Sequence, residues 1–245
     1  MTTTRAPRNR RRILIIALAG AALIAVVLIA SLTRPGQGEP SAAPPAAGEQ
    51  TPTAEESEAP QLPDLSRRVD GDIAAIGDVD APVVLIEYAD YRCPYCGVFA
   101  METLPQIVSE YVDAGQLRVE WRDIPIFGED SMNAAVAARA AGQQGLFWEY
   151  QHAVYAFQGD GRKDLPREQL LAFAVEIGVP DQAAFAAALD DPTLQQAVAV
   201  DAQEAQSLGV QSTPTFLIGQ TPVMGAQPID SFRQVIDAEL ARVAG

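Results

Sequence analysis

The sequence holds little cysteine, histidine or lysine: two cysteines, one histidine (His152) and one lysine (Lys163) in 245 residues. Two cysteines are too few for a disulfide-dense secreted scaffold. A single histidine excludes a His-rich metal centre and the His-x-x-x-His zinc helix. Positive charge is also scarce, 17 bases against 32 acids for a net charge of -15. Nucleic-acid footprints are basic, so a phosphate backbone is not an expected partner. With 48% hydrophobic and 20% charged residues, the composition is nevertheless that of a folded protein.

The charge is unevenly placed. Five arginines (Arg5, Arg8, Arg10, Arg11, Arg12) crowd the first twelve residues, and an uncharged apolar run follows from Ile13 to Leu32. As a helix this run spans about 30 Å, the thickness of a hydrocarbon core. A basic flank of this kind stays in the cytoplasm. The expectation is a cytoplasmic tail at 1–12, a single transmembrane helix at 13–32, and everything after it outside the cytoplasm. A cleaved signal peptide is the alternative. Its apolar region is normally shorter, and Leu28–Ile29–Ala30 is a poor cleavage site. Residues 33–63 carry seven prolines, five glutamates and no aromatic residue. Such a segment cannot bury enough apolar surface to offset its ordering entropy and reads as a disordered Pro/Glu-rich linker. At polyproline rise it reaches at most about 100 Å.

Residues 64–245 are enough for one hydrophobic core. A short apolar stretch, Ile73 to Ile76, precedes a turn. Val83 to Tyr88 (VVLIEY) is a buried-strand run, and Leu117 to Asp123 (LRVEWRD) alternates like a second strand. Between them the pattern predicts a helix from about Pro94 to Ala114, kinked at Pro105. This is a β-α-β unit, most simply parallel. Residues 128–208 then favour helix, in five segments broken by glycines and Pro192. Strand signals return at Thr215–Ile218 and Thr221–Met224, and a last helix runs from about Ile229 to Val243. The expected architecture is an α/β domain with a helical block inserted between its sheet halves.

Both cysteines lie in Cys93–Pro94–Tyr95–Cys96, between the first strand and its helix. Cys93 falls at or near the N-cap, and Pro94 at the first helical position, where a missing N–H costs nothing. Unpaired N–H groups and the helix dipole stabilise a thiolate there. Cys96, one turn on, lies on the same face. Three other readings compete. A structural disulfide closing four residues stabilises by only about 1.9 kcal/mol on the loop-entropy model, against about 3 kcal/mol for fifteen. A zinc site needs two further ligands. Two inert core thiols do not explain a proline between them at a helix start. Redox chemistry accounts for the arrangement best.

Two motifs carry a family resemblance. Tyr88–Ala89–Asp90–Tyr91–Arg92–Cys93–Pro94–Tyr95–Cys96, with Phe99 following, resembles the active-site segment of DsbA-like thioredoxin-fold proteins. Ser212–Thr213–Pro214–Thr215–Phe216 resembles the loop bearing their cis-proline, and Phe147–Trp148–Glu149–Tyr150 a stretch of their helical insertion. The resemblance covers essentially all of 64–245. It implies a thioredoxin fold with an insertion at about 128–208. It makes Cys93 the attacking, solvent-facing sulfur and Cys96 the buried resolving one. Thr213–Pro214 becomes a cis peptide beside them, where substrate binds. Glu87, six residues before Cys93, takes the place of a buried acid that relays a proton to the resolving cysteine; as a bare strand residue it reads as a partly exposed glutamate. Tyr95 stands where the best-known DsbA proteins have histidine, which leaves the oxidising power open.

The anchored, Arg-rich form resembles extracytoplasmic thiol–disulfide oxidoreductases of high-GC Gram-positive bacteria. The resemblance implies donation of a Cys93–Cys96 disulfide to cysteine-containing secreted or membrane proteins. It also implies reoxidation by a quinone-linked membrane partner. No cofactor or metal is implied. The same site run in reverse, as a reductase or isomerase, and a non-catalytic tethered peptide- or metal-binding module remain alternatives. Substrates and oligomeric state are not legible.

Overall fold

The VVLIEY run becomes the central strand of a five-stranded sheet. In the computed structural model, which describes residues 63–159 and 161–245, β1 is Ala75–Ile76, β2 Val83–Ala89, β3 Leu117–Asp123, β4 Thr215–Ile218 and β5 Thr221–Met224. Their order is β1-β3-β2-β4-β5. β2 pairs parallel with β3 and antiparallel with β4, so Glu87 stands between Trp121 and Phe216. The tail at 1–12, the span at 13–32 and all but the last residue of the linker lie outside the described residues. Among the described residues, no helix is long and apolar enough to cross a membrane.

All seven residues of β2 are buried, because helices cover both faces of the sheet. Side chains alternate between those faces along a strand. Val83 and Leu85 meet Phe99, Leu104 and Ile107 of the first helix and Phe232 and Ile236 of the last. Val84, Ile86 and Tyr88 face the other way, against Ala205. By this alternation Glu87 shares the face of Val83 and Leu85, under the first helix.

That first helix, α1, runs through Pro94–Val98, Phe99–Thr103, Leu104–Ile107 and Val108–Val112. The second and fourth pieces are π-helical. Pro105, where the sequence predicts a kink, lies just after the first of these π turns. Pro105 has no N–H to give and its ring crowds the preceding turn. The π turn before it carries the Leu104 N–H to the Phe99 carbonyl, five residues back, and makes room.

The inserted block contains α2 (Glu129–Gly142), α3 (Phe147–Gln158), α4 (Arg167–Glu176), α5 (Gln182–Ala188) and α6 (Pro192–Ser207), and the last helix, α7, is Ile229–Ala244. In α2, Ala134, Ala137, Ala138 and Ala141 are wholly buried. Their small side chains let neighbouring elements approach closely. Tyr150 packs edge-on against Phe173, at 6.0 Å, and Tyr155 stacks on Tyr91 at 5.8 Å. The aromatic residues of the block therefore serve mostly as packing.

LRVEWRD forms the expected strand, and its alternating polar residues Glu120 and Arg122 are fully buried. α6 and residues 65–68 cover them, and the charges are paired. Arg122 bonds Glu120 at 2.8 Å and Glu204 of α6 at 3.3 Å, and Arg118 meets Glu120 at 3.1 Å. The backbone N–H groups of Arg67 and Arg68 donate to the same Glu120 carboxylate, at 3.0 and 2.9 Å. At the strand end, Arg139 of α2 bridges Asp123, at 2.6 Å, and Asp201 of α6. Removing one member of such a pair typically costs about 3–5 kcal/mol, because the other charge stays buried.

Candidate active site

β2 ends at Ala89, and α1 begins at Pro94, so the cysteine pair sits where the chain leaves the sheet for the helix. Cys93 is the N-cap, with φ -82° and ψ 117°, and Pro94 opens the helix. The Cys93 N–H donates to the Asp90 carbonyl at 3.0 Å, and the Cys93 carbonyl accepts from Gly97 at 3.1 Å. Both cysteines are free thiols.

The groups around the helix start lower the Cys93 thiol. The Cys96 thiol contributes most; burial opposes it; the Thr213 hydroxyl and the backbone N–H groups of Cys96 and Tyr95 act with it. Together they bring the Cys93 thiol down to about 6, from an ordinary 9.0. Cys96 is wholly buried, and burial together with the neighbouring Cys93 sulfur pushes its thiol up. At neutral pH one sulfur is a thiolate and the other a thiol. One expectation is corrected here: Cys93 is only 4% exposed and does not face open solvent. The cis-proline loop lies over it, with the Cys93 thiol donating to the Thr213 carbonyl at 3.3 Å.

Thr213–Pro214 is a cis peptide, joined to the cysteines across more than a hundred residues of chain. Pro214 is buried just ahead of β4, and its carbonyl accepts from Gly225 at 2.8 Å. The Thr213 hydroxyl is buried and has no hydrogen-bond partner while Cys93 is a thiol. Tyr95 is 67% exposed beside the pair. His152 is exposed on α3.

Glu87 is not a partly exposed strand residue. It is fully buried, and neither carboxylate oxygen has a hydrogen-bond partner. Burial first, then the Cys93 sulfur, pushes its carboxyl well above the usual range. The Glu87 charge would in turn raise Cys96. The structure thus brings Glu87, Cys93, Cys96, Thr213 and Pro214 together, with Pro94 fixing the helix start and Tyr95 on the rim.

Sequence reasoning missed Asp90. This residue is 1% exposed, and its carboxylate accepts from Arg92 N–H at 2.7 Å, the Ser131 hydroxyl at 2.7 Å and Phe127 N–H at 3.1 Å. The signal was present: an Asp bonding the backbone two residues on is an Asx turn, a common device ahead of a tight turn or helix.

Known proteins resemble this chain in sequence and fold. A probable disulfide bond formation protein D of Bacillus cereus is 29% identical over 172 residues, 69% of this chain and 79% of that protein. The oxidised BdbD structure of Bacillus subtilis superposes with a TM-score of 0.64 at 24% identity, over 69% of this chain and 92% of that one. A thioredoxin-like oxidoreductase of Silicibacter pomeroyi gives a TM-score of 0.59 at 30% identity, over 70% and 92%. The family model described as thioredoxin matches residues 69–238, more than two thirds of the sequence. The chain therefore belongs to the thioredoxin family and is a thiol–disulfide oxidoreductase.

Proposed function

We propose that this oxidoreductase works outside the cytoplasm and donates its Cys93–Cys96 disulfide to cysteine-containing secreted or membrane proteins. The observation that carries the direction is the split between the two thiols, Cys93 held at about 6 and Cys96 raised. A substrate thiolate attacks the Cys93 sulfur of the disulfide. The bond to Cys96 breaks, and Cys96 leaves with the electron pair. Glu87, buried with a raised carboxyl, would supply the proton Cys96 needs. A second substrate thiolate then attacks the substrate's own sulfur in the mixed disulfide, and Cys93 departs as a stabilised thiolate. The substrate has lost two electrons and two protons; the enzyme holds both electrons and one of the protons, as the Cys93 thiolate and the Cys96 thiol, and the other proton goes to solvent. A low-pKa leaving group favours this step and stabilises the reduced enzyme, which makes it an oxidant.

The location rests on the sequence: Arg5 to Arg12 followed by the apolar run at 13–32 support a membrane anchor with the catalytic domain outside. A quinone-linked membrane partner would return the pair to the disulfide; the DsbA-like resemblance supports that assignment. Tyr95 favours a second reading, a weaker oxidant that also reduces or isomerises. Its exposed ring adds no positive charge near Cys93, as a histidine would. Mixing the oxidised protein with a reduced two-cysteine peptide separates the readings. Donation predicts loss of peptide thiols and their appearance on Cys93 and Cys96. No transfer, with the reduced protein instead opening disulfide peptides, would overturn the proposed direction.

A further inference from the structure

The four residues between β2 and α1 are held largely by the helical insertion. The Asp90 carboxylate takes the Ser131 hydroxyl from α2 and the Phe127 N–H from the loop before it. The Asp90 carbonyl accepts two donors, the Cys93 N–H and the hydroxyl of Tyr155 on α3, each at 3.0 Å. Arg92 donates to the Phe127 carbonyl at 3.2 Å and pairs with Asp130 at 3.5 Å and Asp164 at 3.3 Å. Tyr155 is 2% exposed, and its ring lies 3.4 Å from where a Cβ on Gly97 would stand. One insertion side chain therefore touches both the turn before Cys93 and the helix after it.

We propose that Asp90 and Tyr155 are positioning residues through which the helical insertion sets the orientation of the Cys93 sulfur. The Cys93 sulfur reaches the Thr213 carbonyl, at 3.3 Å, and stays at the helix start only while its backbone keeps the N-cap conformation. That conformation depends on where the Cys93 N–H is held, and the Asp90 carbonyl holds it. Asp90 is fixed in turn by Ser131 and Phe127 on its carboxylate and by Tyr155 on its carbonyl. An insertion that served only as packing would have no need to terminate polar groups on this one turn. The inference concerns the reactivity of Cys93 in either direction of electron flow, so it stands or falls apart from the direction proposed above.

The test uses variants that leave the net charge unchanged. Tyr155→Phe removes one donor to the Asp90 carbonyl, and Ser131→Ala removes one donor to its carboxylate. Tyr150→Phe is the control: its hydroxyl donates to the Leu170 carbonyl at 2.9 Å, inside the same insertion and away from the turn. Two quantities are read on the reduced protein, the pH profile of Cys93 alkylation and the melting temperature. Tyr155→Phe and Ser131→Ala should each slow alkylation at pH 6 at least about fivefold, the effect of a one-unit rise in a thiol that titrates near 6. Tyr150→Phe should lower melting without moving the profile. Should Tyr155→Phe fail to fold, Ser131→Ala carries the test. An unchanged profile in the folded variants, or the same shift in Tyr150→Phe, would overturn the proposal.

Discussion

Thr213→Val is the most informative single perturbation of the sulfur pair. The Thr213 hydroxyl is buried without a hydrogen-bond partner, and it is one of the groups that lower Cys93. A hydrogen bond to a charged group contributes about 1.5–3 kcal/mol. At 1.36 kcal/mol per pKa unit, its loss should raise the Cys93 thiol by about one to two units. Cys93 then titrates at roughly 7–8 instead of about 6. At pH 6 the thiolate falls from about one half to between roughly a tenth and a hundredth, so alkylation slows about 5- to 50-fold. At pH 7 the reduced enzyme loses about 1.0–1.4 kcal/mol of that stabilisation, and the potential drops by about 20–30 mV. Thiolate absorbance near 240 nm, followed against pH, gives the titration directly. In the dithiol state the hydroxyl bonds nothing, so melting of the reduced protein at pH 5 should not fall. A folded variant with an unshifted Cys93 titration would show that the hydroxyl is not a donor to the thiolate, and the reasoning would fail.

Three further outcomes follow from the same geometry. Cys96→Ser should accumulate mixed disulfides between Cys93 and substrate, visible on non-reducing gels, because the enzyme-side resolving thiol is gone. Glu87→Gln should stabilise the fold at pH 7 but slow thiol–disulfide exchange through Cys96. A buried carboxyl with a raised folded pKa penalises folding increasingly as pH climbs above its unfolded value, so the stabilisation should vanish near pH 4 in chemical denaturation. For Glu120 the sign is opposite. Burial pushes its carboxyl up, but the Arg67 and Arg68 N–H groups and the Arg122 guanidinium outweigh burial and hold it at about 2. Its contribution, at most about 3 kcal/mol, is present above its unfolded value near 4.5 and should disappear as pH falls toward 2. Glu120→Gln should therefore flatten the acid limb of the stability profile while lowering stability at pH 7.

The sequence made the sheet, the position of the cysteines and the inserted helical block legible. Hydrophobic runs, β-branched strands and a proline at a helix start are local signals, and VVLIEY and Cys93–Pro94 carried them. What was not legible depended on distant partners. Nothing local announces that α6 and residues 65–68 cover Glu120 and Arg122. The π turn before Pro105 was not legible, since the sequence marks the proline's clash but not the winding that relieves it. Burial of Glu87 follows from strand alternation only once the helix over that face is known. Cys93 was expected in open solvent, yet the loop at Thr213, remote in sequence, closes over it. Asp90 was overlooked although its spacing to Arg92 is a local turn signal.

The central claim is that the helix end, Cys96 and Thr213 stabilise the Cys93 thiolate enough to make the pair an oxidant. Equilibration of the Cys93–Cys96 couple with glutathione measures this directly. Thioredoxin, whose reactive thiol titrates near 7, has a potential of about -270 mV. A thiol at about 6 should lift the couple by about 30 mV or more, to roughly -240 mV or above. A potential at or below about -270 mV would contradict the account.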